Sequence, residues 1–198
     1  MAENVSLKTI IERAVGILLS PTMEWNAIER EDSNLLLNRY VAVLAAVPAL
    51  SGLIGFSVIG LGVPRLGTVR VPVLYGLLAA IASYLLAFVV VFLLALIINV
   101  IAVRFEGNRN FPAALRLAVY SYTPVWLSGV FLLIPGLRFL CVLGLYGFYL
   151  LRRGLPVMMK IPEGPASRYA ATIFIIALAI RILIGWTEVA LFSLPQAI

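Results

Sequence analysis

Long apolar stretches without a charged side chain run through this chain, from Tyr40 to Val63 and from Val73 to Val103. About 20 apolar residues in a helix cross the hydrocarbon core of a bilayer, so both stretches are long enough to span it. Three later stretches are shorter or are interrupted by charges, and turns rich in proline and glycine separate them. The pattern predicts an all-α integral membrane bundle of five transmembrane helices, at about residues 40–63, 74–103, 113–134, 137–151 and 170–194.

A different pattern precedes the first span. Residues 7–19 place apolar side chains at helical spacing, with charged side chains largely on the other side, and Ser20-Pro21 should end this helix and start a second short one. Both helices are too polar to span, and Trp25 in the second would suit the headgroup zone. We therefore divide the chain into cytoplasmic or interfacial amphipathic helices (1–38) and a transmembrane domain (39–198). The amphipathic helices could lie on the bilayer, pack under the bundle or bind a partner.

Two of the predicted spans have unusual features. Pro124 lies inside the third span and predicts a kink near residues 120–123, whose hydroxyl groups could bond the freed carbonyl groups. The fourth span is short, so flanking arginines such as Arg138 should extend to the two interfaces. Residues 152–168 combine glycines and prolines with basic residues, which predicts an ordered but non-helical loop.

The charges indicate an orientation for the bundle. The chain is 63% hydrophobic and 12% charged, whereas roughly a quarter of the residues of a soluble domain are charged. With five spans, eleven Lys and Arg residues lie on the side of the N-terminus and three on the other side. Under the positive-inside rule the N-terminus is cytoplasmic and the C-terminus lies on the opposite side of the membrane.

The composition excludes several kinds of chemistry. The chain has no histidine and one cysteine, Cys141, which excludes disulfides, Cys/His metal sites and histidine-based triads within the chain. Neither a GxSxG nor an HExxH motif occurs. The basic residues occur singly or in pairs, without the aromatic-interleaved basic face of a nucleic-acid-binding protein. We expect no catalytic residue, metal, cofactor or nucleic acid.

Arg181 is the sharpest polar feature of the predicted spans. It lies near the middle of the fifth span, where an arginine costs roughly 2.5 to 3.5 kcal/mol, so it should face protein or water. Glu188 follows two turns later on the same helix face. Two interpretations are open: a structural lock among helices, or a site for an anionic lipid headgroup or other substrate. The candidate partners from other spans are Asn99, Tyr120, Tyr122 and Thr123.

A second candidate is a group of basic residues on the cytoplasmic side, beside Trp25. Attraction to anionic lipids is worth about 1 kcal/mol per basic residue near the surface. Simple control of topology is the alternative interpretation. The group comprises Arg104, Arg109, Arg152, Arg153, Lys160 and Arg168.

Several short motifs carry a family resemblance. They are Tyr-Ser-Tyr-Thr-Pro-Val-Trp-Leu at 120–127, Ile-Pro at 134–135 and Gly-Leu-Pro-Val-Met at 154–158, together with Pro21 and Trp25. With these motifs the chain resembles the Yip family (Ypt/Rab-interacting proteins), in particular its bacterial branch. The resemblance implies five spans, a cytoplasmic N-terminal region and a location in the bacterial inner membrane, with a periplasmic C-terminus. Eukaryotic members are associated with small GTPases and vesicle traffic, but their Asp-Leu-Tyr-Gly-Pro-like signature is absent here, which puts GTPase binding in question.

The resemblance favours a non-enzymatic scaffold or adaptor that organises membrane lipids or partner proteins, including a second copy of the chain. The alternative is a small transporter, channel or lipid-translocating protein that uses the polar site around Arg181 and Glu188. A membrane enzyme is a third and weaker interpretation, because the familiar catalytic motifs are missing.

Overall fold

Helices pack side by side through nearly all of the computed structural model, which describes residues 6–30, 34–63 and 67–193. Side chains are described for residues 6–30, 37–60 and 67–183. The α-helices are α1 (Leu7–Leu19), α2 (Pro21–Arg30), α3 (Asn34–Leu53), α4 (Val73–Ile101), α5 (Phe111–Ser121), α6 (Thr123–Ser128), α7 (Tyr146–Met159) and α8 (Glu163–Ser193). A π-helix (Ile54–Ile59) extends α3, and 3₁₀ segments occupy Ala102–Phe105, Gly129–Leu133 and Pro135–Leu145.

Four helical segments within the described residues are long and apolar enough to cross a membrane: Leu37–Ile59, Val73–Phe105, Pro135–Met159 and Glu163–Leu183. They correspond to the first, second, fourth and fifth predicted spans. The first helix ends at Ile59 instead of continuing to Val63, because the chain there forms a short antiparallel hairpin of β1 (Leu61–Val63) and β2 (Gly67–Val69).

The third predicted span is interrupted. Helix α5 ends at Ser121, helix α6 begins at Thr123, and Tyr122 lies between them. Pro124 has no N–H to donate, and the amides of Val125 and Trp126 both donate to the carbonyl of Tyr122. The helix is therefore interrupted at Tyr122, within the residues 120–123 where the sequence predicts a kink.

The fourth span differs from the prediction at its C-terminal end. Helix α7 continues through Arg152, Arg153 and Pro156 to Met159, and α8 begins at Glu163. The prediction of a non-helical loop over 152–168 was wrong, because packing of α7 against α2 and α5 outweighs the local helix-breaking signals. The 3₁₀ segment Pro135–Leu145, which precedes α7, rises about 2.0 Å per residue, whereas an α-helix rises about 1.5 Å. The fourth span, which looked too short, is longer for this reason.

Arg138 lies in this 3₁₀ segment, and its contacts are with the end of the first span. Its guanidinium carbon is 4.2 Å from the ring centre of Phe56, and Nη2 donates to the carbonyl of Gly55 at 3.0 Å. We expected Arg138 to reach the membrane interface, but its side chain instead joins two segments of the bundle.

Helices α1 and α2 form an N-terminal hairpin that packs on the bundle. Helix α1 has the predicted bounds and α2 begins at Pro21 as predicted, and Ser6 caps α1 by accepting from the amide of Lys8. An ion pair between Arg13 Nη1 and Glu24 Oε1, 2.6 Å long and mostly buried, joins the two helices.

Contacts to α7 follow the same order along the hairpin as along α7. The Tyr146 hydroxyl donates to the carbonyl of Leu18 at 2.9 Å, and Lys160 pairs with Glu29 at the other end. Between them Trp25 is fully buried against Gly154. We expected Trp25 in the headgroup zone, but its side chain contacts protein, because the glycine leaves room for the indole ring.

Candidate functional site

The bend between α5 and α6 divides the polar residues of this segment into two groups. Tyr120 and Thr123 face the N-terminal half of the molecule, where the hydroxyl groups of Thr123 and Tyr40 are 2.8 Å apart and buried. The ring of Tyr120 meets Tyr40 edge-on at 4.8 Å and Trp25 at 6.4 Å. These contacts hold α2, α3 and α5 together, so two of the partners that we expected for Arg181 have a structural role elsewhere.

Tyr122 turns the other way and lines a cavity of about 220 Å³ bounded by α4, α5, α6, α7, α8 and the 3₁₀ segment that precedes α7. Arg181 of α8 lines the same cavity, and the residue is exposed. Two other side chains in the lining carry an oxygen or sulfur atom, those of Ser121 and Cys141. The cavity is otherwise walled by apolar side chains and glycines.

Ser121 is the cavity residue with the clearest unsatisfied group. Its side chain is more than nine-tenths buried, and its hydroxyl has no hydrogen-bond partner in the structure. A buried polar group without a partner costs about 1 to 3 kcal/mol. The wall around it is tight, because a Cβ added to Gly147 of α7 would lie 2.6 Å from the carbonyl oxygen of Ser121. The hydroxyl is therefore held at the cavity by close backbone packing.

Two predicted partners of Arg181 remain, and they differ in what the structure describes. Asn99 lies on α4 outside the cavity lining, with a buried and unpartnered side-chain oxygen. Glu188 lies in α8 beyond the residues whose side chains the structure describes, so its pairing with Arg181 stays a prediction. Of the residues predicted for this site, Arg181 and Tyr122 both line the cavity.

Sequence reasoning missed two cavity residues, Ser121 and Cys141. A serine or cysteine inside an apolar span gives no local signal of function, and only the bend at Tyr122 shows that Ser121 faces the cavity. Cys141 donates weakly to the carbonyl of Ser128, with its sulfur at 3.5 Å.

The predicted cytoplasmic basic group is exposed. Arg153 packs along Tyr149, with its Nε 3.2 Å from the phenol oxygen, and Lys160 pairs with Glu29. Trp25 is not part of this surface because it is buried. The exposed members are Arg104, Arg109, Arg152, Arg153, Lys160 and Arg168.

A comparison with protein-family models matches most of the chain, including the residues that line the cavity. A family model of the Yip1 domain matches residues 15–184, from within α1 to beyond Arg181. No curated protein and no solved structure matched the chain. Among the residues that the structure describes, no group of three His, Cys, Asp or Glu side chains could hold a metal ion.

Proposed function

The chain belongs to the Yip1 domain family, and from this premise we propose that it is a non-enzymatic membrane scaffold that organises lipids or partner proteins at the cytoplasmic face of the bilayer. Its apolar helices make it a multi-pass membrane protein. In the proposed topology the broken segment of α5 and α6 is the third of five crossings. The N-terminus is then cytoplasmic and the C-terminus periplasmic, with the protein in the bacterial inner membrane.

The observation that supports this function is the outward face of the N-terminal hairpin. The inner face of α1 is buried against the bundle, while its outer face exposes apolar side chains at four-residue spacing along the whole helix. A stripe of this kind is typical of helices that lie in the headgroup region. The exposed stripe consists of Leu7, Ile11, Val15 and Leu19.

The nearby basic residues favour lipid as the contact. Arg152 and Arg153 are exposed on α7, the helix to which the hairpin is attached, and Arg168 is exposed near the start of α8. Each basic residue near an anionic surface contributes about 1 kcal/mol. The apolar stripe of the hairpin, together with the exposed cations of α7 and α8, would hold anionic lipids around the bundle.

Lipid analysis of the full-length protein tests this function. The protein is extracted from membranes with a copolymer that keeps its surrounding lipids, and the lipids are measured by mass spectrometry. We expect anionic lipids to be enriched over the bulk membrane, and the enrichment to fall when Arg152, Arg153 and Arg168 are all changed to glutamine. Arg70→Gln, an exposed change in the loop that follows the first span, is the matched control and should retain the enrichment.

Two outcomes overturn the scaffold: no enrichment around the unmodified protein, or equal enrichment in the triple variant. Solute flux through reconstituted vesicles that depends on Arg181, without lipid enrichment, would favour the transporter instead. Orientation is tested separately by fusions at Ile198. Alkaline phosphatase there should be active, and a fluorescent protein that fluoresces there contradicts the topology.

A further inference from the structure

The position of Arg181 along α8 places its charge well inside the apolar part of the chain. It lies eighteen residues after Glu163, roughly 27 Å along the helix at 1.5 Å per residue. No charged residue occurs between Arg168 and Arg181. Arginine at such a position is rare and marks a substrate pathway or a partner of opposite charge.

The polar side chains around the cavity that Arg181 lines share one chemical property. The guanidinium group carries only donors, while the hydroxyl groups of Ser121 and Tyr122 can each donate a hydrogen bond. No carboxylate occurs in the lining described by the structure. A cluster of donors with a positive charge, in apolar surroundings, is suited to an anionic group with several acceptor oxygens.

The size and the rim of the cavity restrict the rest of the ligand. Its volume of about 220 Å³ is smaller than the roughly 300 to 1,000 Å³ of pockets that enclose drug-sized ligands. One hydrocarbon chain fits such a space better than the two chains of a phospholipid. Leu145 and Leu178 line the cavity and are exposed, so the cavity opens sideways toward the surrounding acyl chains.

We propose that this cavity binds an anionic amphiphile with a single acyl chain, whose carboxylate or phosphate group accepts hydrogen bonds from Arg181, Tyr122 and Ser121. The chain of the ligand lies against the apolar wall formed by α4 and α8. The ligand gives the orphan hydroxyl of Ser121 a hydrogen-bond partner, and its negative charge lies beside the guanidinium group of Arg181. This site is separate from the cytoplasmic lipid surface, and either proposal can hold without the other.

The single cysteine of the chain provides a direct reporter, because Cys141 lines the same cavity. The full-length protein is reconstituted in nanodiscs of a neutral phospholipid and labelled with an apolar maleimide, while palmitate is added in increasing amounts. We expect palmitate to slow the labelling. Arg181→Gln should raise the palmitate concentration required by about tenfold or more, as for the loss of a charge-assisted hydrogen bond.

Further variants separate recognition from folding. Arg181→Lys keeps the charge and should retain part of the protection, and Ser121→Ala should weaken it less than Arg181→Gln does. Arg70→Gln, at an exposed arginine outside the cavity and outside the cytoplasmic basic group, is the control and should behave like the unmodified protein. If Arg181→Gln does not fold, the lysine and alanine variants still decide the outcome.

The same labelling experiment with other amphiphiles tests which head group the cavity recognises. A lysophosphatidic acid should protect Cys141 as palmitate does, and their relative potency shows whether the head is a phosphate or a carboxylate. Hexadecanol and phosphatidylglycerol should not protect. Equal protection by hexadecanol, protection by phosphatidylglycerol alone, or unchanged protection in the Arg181→Gln and Ser121→Ala variants overturns the proposal.

Discussion

Replacing Trp25 with alanine tests whether the N-terminal hairpin is part of the folded bundle. The side chain is 0% exposed, its ring centre lies 6.4 Å from that of Tyr120, and Gly154 approaches it so closely that an added Cβ would lie 2.7 Å from the indole. Truncating a buried tryptophan to alanine costs about 3 to 5 kcal/mol, since it removes apolar contacts and leaves a cavity. We therefore expect a loss of this size in the free energy of unfolding.

The measurement is reversible unfolding in mixed micelles, followed by far-ultraviolet circular dichroism. Met23→Ala is the matched control, because Met23 lies on the same helix but is 74% exposed, and the change should stay within about 0.5 kcal/mol. A tryptophan that only touches headgroups would behave like Met23. Equal effects of the two substitutions, or a loss below about 1 kcal/mol for Trp25→Ala, would show that the hairpin is not packed as described.

Two further predictions concern the same region. Tyr40→Phe should lower the free energy of unfolding in mixed micelles by about 1 to 3 kcal/mol, because the buried Thr123 hydroxyl loses its partner at 2.8 Å. The double variant Tyr40→Phe/Thr123→Val should recover part of this loss. Strictly additive effects of the two substitutions would argue against the hydrogen bond. Gly154→Val should destabilise the protein by about 1 to 3 kcal/mol or more and expose the hairpin to protease, because a Cβ there would lie 2.5 Å from Leu117; unchanged proteolysis would contradict the close approach.

Local signals in the sequence were sufficient for the first helices and for the bend. Ser20-Pro21 separates α1 from α2 because proline favours the start of a helix, and Pro124 interrupts the next helical segment because it cannot donate a backbone hydrogen bond. Both effects act within one helical turn. No long-range contact is needed to predict them.

The features that the sequence did not predict depend on distant contacts. Gly154 and Pro156 normally disfavour a helix, yet α7 continues through both because Trp25 and Leu117 pack against it. An amphipathic helix has the same periodic pattern whether its tryptophan lies among lipid headgroups or is buried in protein. The sequence therefore could not show which environment Trp25 has. Burial and contact partners decide it.

The candidate site shows the same division. Arg181 could be found from the sequence because a charge inside an apolar helix is costly wherever the neighbours lie. Its partners could not be chosen, because the bend at Tyr122 sends Tyr120 and Thr123 toward Tyr40 and leaves Tyr122 and Ser121 beside Arg181. The direction of each side chain follows from the bent backbone, which spacing along the sequence does not encode.

The 3₁₀ segment Pro135–Leu145 makes the fourth crossing adjustable in length. If its eleven residues rewound into an α-helix, the segment would shorten by roughly 5.5 Å, and the side chains would rotate relative to α6. A thinner bilayer favours the shorter form, and a thicker one favours the longer form. A change of membrane thickness that drove this transition would shift the residues on either side of Pro135–Leu145 along the bilayer normal.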